Sequence, residues 1–118
     1  MSSDELKKAL ESSEEIKLTV AGRRSGRKTS RPVWFVQEGT SLYLLPVTGS
    51  DTDWYKNMLK NPTIMLAADG EEWTAKGTPI TNAAKVREIV EKFRAKHGAA
   101  DVKKYYSKFD VAVEVPLI

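Results

Sequence analysis

Two short turn signals, Glu38-Gly39 and Asp69-Gly70, narrow the fold of this chain more than any other feature. Each pairs an acidic residue with a glycine that can take the positive φ of a tight hairpin, and each is flanked by short apolar or alternating runs. Pro32 to Val36 precedes the first turn and Leu42 to Leu45 follows it; Thr63 to Ala68 and Glu72 to Ile80 flank the second. Strands joined this tightly run antiparallel. A parallel sheet would need a crossover of about a dozen residues or more between most of its strands.

Two further stretches have the period of a strand with one wet face. Ile16, Leu18 and Val20 alternate with Lys17 and Thr19 until Gly22 ends the run, and Val111, Val113 and Val115 alternate until Pro116 closes it. The runs at Pro32 to Val36 and Leu42 to Leu45 are apolar at nearly every position, which predicts burial on both faces. Elsewhere the period becomes helical. Trp54 and Met58, like Tyr55 and Leu59, lie one turn apart in a segment that Asp51 or Thr52 can cap and Pro62 stops. Val86, Ile89, Val90 and Phe93 predict a longer helix over Thr81 to Lys96, with Gly98 as its C-cap. Ser3 can cap a short helix within residues 1–13 whose narrow stripe is Leu6, Ala9 and Leu10. The expectation is one mainly β domain with helices (α+β) over residues 1–118: a six-stranded antiparallel barrel, one short helix inserted between strands and one longer helix before the last strand.

Composition limits the chemistry. The 118 residues contain no cysteine and one histidine, His97, which removes thiolate chemistry and leaves a zinc site or a catalytic triad without its usual partners. Helix C-capping is the role expected of His97. The carboxylates Asp4, Glu5, Glu11, Glu14 and Glu15, and the pair Glu71-Glu72, read as solvated faces. No stretch approaches the roughly 20 apolar residues that span a bilayer, and the first residues lack a signal-peptide pattern, so a cytoplasmic protein without membrane insertion is expected.

The net charge of +3 is small, but its distribution is uneven. Arg23, Arg24, Arg27, Lys28 and Arg31 fall within nine residues that hold no acid. In Gly22-Arg23-Arg24-Ser25-Gly26-Arg27-Lys28 the glycines allow backbone N–H groups to converge and the cations can add charge-assisted bonds, so the segment reads either as a phosphate grip or as a solvated hairpin turn. A nucleic-acid surface would need a longer basic face with exposed stacking aromatics, and only Trp34 and Phe35 lie close, so no nucleic-acid partner is expected. Asn57, in the helix that starts near Trp54, carries an amide able to donate and accept toward a heterocycle. Tyr105 and Tyr106 stand just before the last strand, where a hydroxyl can reach a pocket mouth or the rings can simply pack.

Taken in order, these pieces resemble the deazaflavin-dependent nitroreductase and quinone reductase family, within the larger pyridoxamine-phosphate-oxidase-like split barrels. The likeness runs from about Glu15 to Leu117. It rests on Gly22 to Gly26 ahead of a strand with Pro32, on the strand pair Val33 to Val36 and Leu42 to Leu45, and on Trp54-Tyr55-x-Asn57 leading to Asn61-Pro62. The last is similar to the family's W-Y-x-N-L-x-x-N-P, with Met58 at the leucine.

The resemblance implies a split β-barrel with FMN or coenzyme F420 as cofactor. Its phosphate would lie against Arg23, Arg24, Ser25, Gly26, Arg27 and Lys28, with Arg24 where the family often has a lysine. Its ring would lie beside the segment before Trp54, at Thr48, Gly49 and Ser50, with Trp54 and Asn57 adjoining. Lys28 or Arg31 would serve for a family arginine that Thr29 replaces. Tyr105 and Tyr106 are the candidate catalytic residues. The implied activity is hydride transfer to a quinone, nitro or enone-like small-molecule substrate; the alternative is a carrier of flavin or haem without turnover. Split barrels pair as homodimers, so the resemblance also implies a second copy as partner. Pro46 to Asp53 is shorter and more acidic than its family counterpart, which keeps both cofactors open.

Overall fold

One long strand joins the two halves of the sheet. In the computed structural model, which describes residues 10, 15–68 and 70–116, β2 (Lys28–Glu38) first pairs with β1 (Glu15–Ala21) through Trp34 and then, from Phe35, with β3 (Ser41–Leu44). On the β1 side follow β4 (Thr63–Ala68) and β5 (Glu71–Lys76); on the β3 side follow β7 (Ala112–Pro116) and β6 (Thr78–Ile80). The order is β5-β4-β1-β2-β3-β7-β6, every pair antiparallel. The antiparallel pairing follows from the hairpin signals, and the sheet curls into a half-barrel.

The strands number seven rather than the six expected. The run expected from Glu72 to Ile80 breaks at Gly77, whose amide donates to the Pro62 carbonyl at 2.9 Å. The chain there passes so close to the core that a Cβ on Gly77 would lie 2.5 Å from Met58 Sδ. Before the break β5 extends one edge of the sheet; after it β6 extends the other.

A single helix before the last strand is also corrected. After α1 (Asp53–Lys60), α2 (Ala83–His97) ends at Gly98, where φ is 93°, and α3 (Ala99–Tyr105) begins immediately. Its sequence hides it, because Val102 is the one residue of this short helix that is buried. Asn82 caps α2 by accepting from the Lys85 amide. The helix expected within residues 1–13 lies outside the described residues except for Leu10, which is helical and buried, and the acidic positions 4, 5, 11 and 14 lie outside them too.

Burial on both faces holds for the β3 side of the sheet. Phe35, Leu42, Leu44, Val113 and Val115 point into the barrel with Trp54, Tyr55 and Met58, while Val36, Tyr43, Leu45 and Ala112 point outward under Val86, Ile89, Val90 and Phe93 of α2 and Val102 of α3. Pro32 is exposed, because this part of β2 pairs only with β1. β1 alternates as its sequence does, with Ile16, Leu18 and Val20 inside.

Candidate functional site: two clefts that meet at Arg31 and Trp54

Helix α1 forms because its apolar and polar positions separate at helical spacing. Trp54, Tyr55 and Met58 are buried, whereas Asn57 and Asn61, four residues apart on one face, meet the basic turn. Asn57 Oδ1 accepts from the Arg23 amide at 3.1 Å and from Arg23 Nη1 at 2.8 Å. Asn61 Nδ2 donates to the carbonyls of Gly22 at 3.3 Å and Ala21 at 3.5 Å. Arg23 Nη2 also lies 3.8 Å from Asp53 Oδ1.

Inside the turn, the Gly22 amide donates to the Arg27 carbonyl at 2.8 Å, the Gly26 amide to the Gly22 carbonyl at 3.0 Å, and the Arg27 amide to Ser25 Oγ at 3.2 Å. Gly26 takes φ 74°, the left-handed conformation in which a side chain would be strained. The amides of Gly22, Arg23, Gly26 and Arg27 are thus engaged within the chain. Arg24, Ser25 and Arg27 are exposed, and Lys28 is already the first residue of β2.

From this turn β2 carries Thr29 and Arg31 toward the end of α1. There Arg23, Thr29, Arg31, Asp53, Trp54 and Asn57 line a cleft of about 270 Å³. A second cleft, of about 300 Å³, is lined by Arg31 and Trp54 again and by Glu15, Trp34, Val47, Tyr105 and Tyr106 among others. The two therefore adjoin. One end is polar and carries Arg23 and Arg31 with Asp53; the other is mostly apolar and holds the rings of Trp34, Trp54, Tyr105 and Tyr106.

The aromatic end is built in layers. The Trp34 indole stacks on the His97 imidazole with centroids 4.5 Å apart and planes 8° from parallel. Tyr105 meets Trp34 nearly at a right angle, at 5.5 Å, and Tyr106 lies 5.9 Å away, tilted. His97 Nε2 is 3.1 Å from the Phe35 carbonyl, which also accepts from Lys96 Nζ at 3.0 Å. His97 is the last residue of α2, whose C-cap is Gly98, and its ring braces a wall of the cleft through Trp34 and the Phe35 carbonyl. Tyr106 is buried, and burial holds its hydroxyl pKa well above the usual phenol value; Tyr105 is exposed.

The segment Thr48, Gly49, Ser50 is committed elsewhere and lines neither cleft. Ser50 donates to Asp110 from its amide at 2.9 Å and from Oγ at 2.5 Å, and Thr48 bonds Thr52 Oγ1 through both its amide and its hydroxyl. Lys108 Nζ donates to Asp51 Oδ2 at 3.0 Å and lies 3.7 Å from Asp110. Partial desolvation raises the Asp110 pKa, but the Ser50 bonds and the Lys108 charge outweigh it and hold the exposed carboxyl below its ordinary value. Among the described residues no group of three or more histidine, cysteine or carboxylate side chains could hold a metal ion.

The sequence matches the family model described as F420H(2)-dependent quinone reductase over residues 2–117. The chain belongs to this family. No curated protein sequence matches it. Among solved structures it is similar to an F420-H2 dependent reductase, FDR-A, at 18% identity over 86% of this chain and 93% of the other, with a TM-score of 0.65. It is similar to HutZ, the haem storage protein of Vibrio cholerae, at 12% identity over 96% and 87% of the two chains, TM-score 0.72. A Listeria innocua protein described as a pyridoxamine 5'-phosphate oxidase matches at 16% identity over 96% and 90%, TM-score 0.70. At such identities the likeness is one of fold, and the fold is the pyridoxamine-phosphate-oxidase-like split barrel.

For this quinone reductase family member, the donor set suits an anionic group at Arg23 and Arg31 and a planar ring system beside Trp54, where the two clefts meet. Arg23 and Arg31 line one cleft together with Asp53, tryptophan and tyrosine rings line the other, and Arg31 and Trp54 border both. Thr29 and Trp34 enter the site without having been singled out for it in the sequence. The signal for Thr29 is the strand period, which puts it on the same face of β2 as Arg31. Trp34 carries no such signal, because its place depends on the partner that α2 brings to it.

Proposed function

We propose that the protein is an F420H2-dependent reductase that delivers a hydride to a quinone, nitro or enone-like small-molecule acceptor. The observation that carries this reading is the pair of adjoining clefts, cationic at Arg23 and Arg31 and aromatic at Trp34, Tyr105 and Tyr106, in a chain of the F420H2-dependent quinone reductase family. The reduced deazaflavin supplies the hydride; the protein supplies orientation, charge and exclusion of water. Arg23 and Arg31, which line the polar cleft, hold the phosphate; Arg24 and Arg27 are exposed on the adjoining turn, and Lys28 lines a separate pocket with Thr63 and Met65. Ser25 and Gly26 shape that turn, and Asn57 fixes Arg23 beside it. Trp54 packs at the junction, and Thr48 to Ser50 brace the start of its helix through Asp110 and Thr52. Tyr106, a neutral phenol lining the aromatic cleft, can donate a hydrogen bond to an acceptor oxygen.

Titration of coenzyme F420 followed by its fluorescence, then oxidation of F420H2 by menadione, tests the proposal. Saturable binding with turnover supports it; no binding of F420 sinks it. FMN in a parallel titration decides the cofactor. The likeness to HutZ favours a carrier of flavin or haem as a second reading. Ligand retained without reoxidation by quinone, nitro or enone acceptors would support it, although the sole histidine is already stacked on Trp34.

A homodimer completes the proposal. The half-barrel leaves β5 and β6 as end strands, and unpaired strand edges invite cover by another chain. A monomeric mass in solution would contradict it.

A further inference from the structure

His97 stands behind the site, not in it. It does not line the aromatic cleft, whereas Trp34, Tyr105 and Tyr106 do. The nearly parallel stack places the imidazole against the indole, and the bond between Nε2 and the Phe35 carbonyl fixes the imidazole in turn. Phe93, 5.7 Å from the imidazole, and Lys96, 3.6 Å from the Phe35 ring centre, pack the same corner. A tryptophan held on one side by a flat ring cannot rotate about χ2 without losing that contact. The indole is therefore preset before any ligand arrives.

We infer that His97 is a positioning residue that sets the plane of Trp34 and thereby presets the wall against which a flat aromatic acceptor lies. This deepens the proposed function and rests on it for the acceptor's role. The aromatic cleft suits the acceptor because it is the end farther from the Arg23 turn, and the exposed Val47 and Tyr105 mark its mouth. A flat ring system gains from a preset aromatic wall through offset or edge contact, and presetting removes the ordering cost that a mobile side chain would impose on binding.

Three variants separate stacking from hydrogen bonding. His97→Phe keeps a flat ring and loses the bond to the Phe35 carbonyl, His97→Gln keeps a donor and loses the ring, and His97→Ala loses both. The first readout needs no cofactor: near-UV circular dichroism of the tryptophans, and quenching of their fluorescence by menadione as a binding isotherm. The expected result is a weakened tryptophan band and a five- to tenfold weaker menadione affinity in His97→Ala and His97→Gln, both restored within twofold in His97→Phe. The F420 dissociation constant should stay within twofold in all three. In turnover, KM for menadione should rise with kcat held within about twofold.

Unchanged dichroism and menadione affinity in His97→Gln would overturn the inference, as would failure of His97→Phe to restore them in a protein whose thermal melt remains cooperative. If wild-type protein binds menadione but does not reduce it with F420H2, the proposed function fails while the dichroism and binding measurements still decide the role of His97.

Discussion

Arg23 and Asn57 are joined twice: the asparagine's Oδ1 accepts from the arginine's amide at 3.1 Å and from its guanidinium at 2.8 Å. One side chain of α1 thus fixes both the backbone and the charge of the turn. Asn61, one helical turn on, holds the carbonyl just before it. The two asparagines of the Trp54 to Pro62 signature act as a clamp between helix and turn.

Breaking the clamp should loosen the turn more than it destabilises the domain. Asn57→Ala removes bonds to a charged and partly exposed partner, a loss of about 1 kcal/mol, or roughly 4 °C in Tm for a domain of this size. The F420 dissociation constant should rise several-fold. Asn57→Asp keeps an acceptor for Arg23, so Tm should hold, yet it adds a negative charge beside the anion site, so affinity should fall further than in Asn57→Ala. Thermal melts and F420 fluorescence titrations on the two variants check this; equal affinity losses would show that charge is not what matters there.

Arg31 borders both clefts, and its removal should be felt in cofactor binding first. A charge-assisted bond to phosphate contributes about 1.5–3 kcal/mol, so Arg31→Ala should weaken F420 by about ten- to a hundredfold. Arg31→Lys should recover only part of this, because an ammonium lacks the planar fork. Wild-type affinity should also fall as salt is raised, and the fall should be shallower in Arg31→Ala. Titrations across a salt series make the comparison.

The sheet was legible because its signals are local. Hairpin turns, the alternation of Ile16, Leu18 and Val20, and the helical spacing of Val86 to Phe93 each follow from neighbours in sequence. The break at Gly77 does not, since the close neighbour there is Met58, a residue brought to it by the fold. Helix α3 escaped because its short sequence buries one residue and so has no period to read. In the site, the cations of the turn were legible as charge. That Asn57 would turn its oxygen toward Arg23, and that His97 would stack on Trp34 from 63 positions away, depends on tertiary placement that no local pattern encodes.

Gly77 offers a direct test of the strand break. A methyl group there would press on the buried Met58 sulfur, and overpacking of this kind costs about 1–3 kcal/mol. Gly77→Ala should therefore lower stability by that amount in the wild-type background and by clearly less when Met58 is already alanine. A double-mutant cycle by urea unfolding measures the coupling. Additive effects would mean that backbone conformation, and not the contact with Met58, makes glycine necessary.

Asp110 predicts how the domain responds to acid. Its carboxylate accepts both bonds from Ser50 and lies beside Lys108. Against partial desolvation, these hold its pKa below the ordinary 3.8. A depressed carboxyl pKa adds stability that is fully present above the unfolded value and is lost as pH falls through the folded one. Glu38, lowered by its bond to Lys92 against burial, acts in the same acidic range, so the wild-type acid limb alone cannot isolate Asp110. Asp110→Asn can. Its Tm should lie below wild type at pH 7, and the gap should narrow as pH drops below about 4, where the wild-type carboxylate also becomes neutral. Melts recorded from pH 7 to pH 3 test this; a gap that stays constant with pH would assign the loss to altered hydrogen-bond geometry, with no part played by the charge.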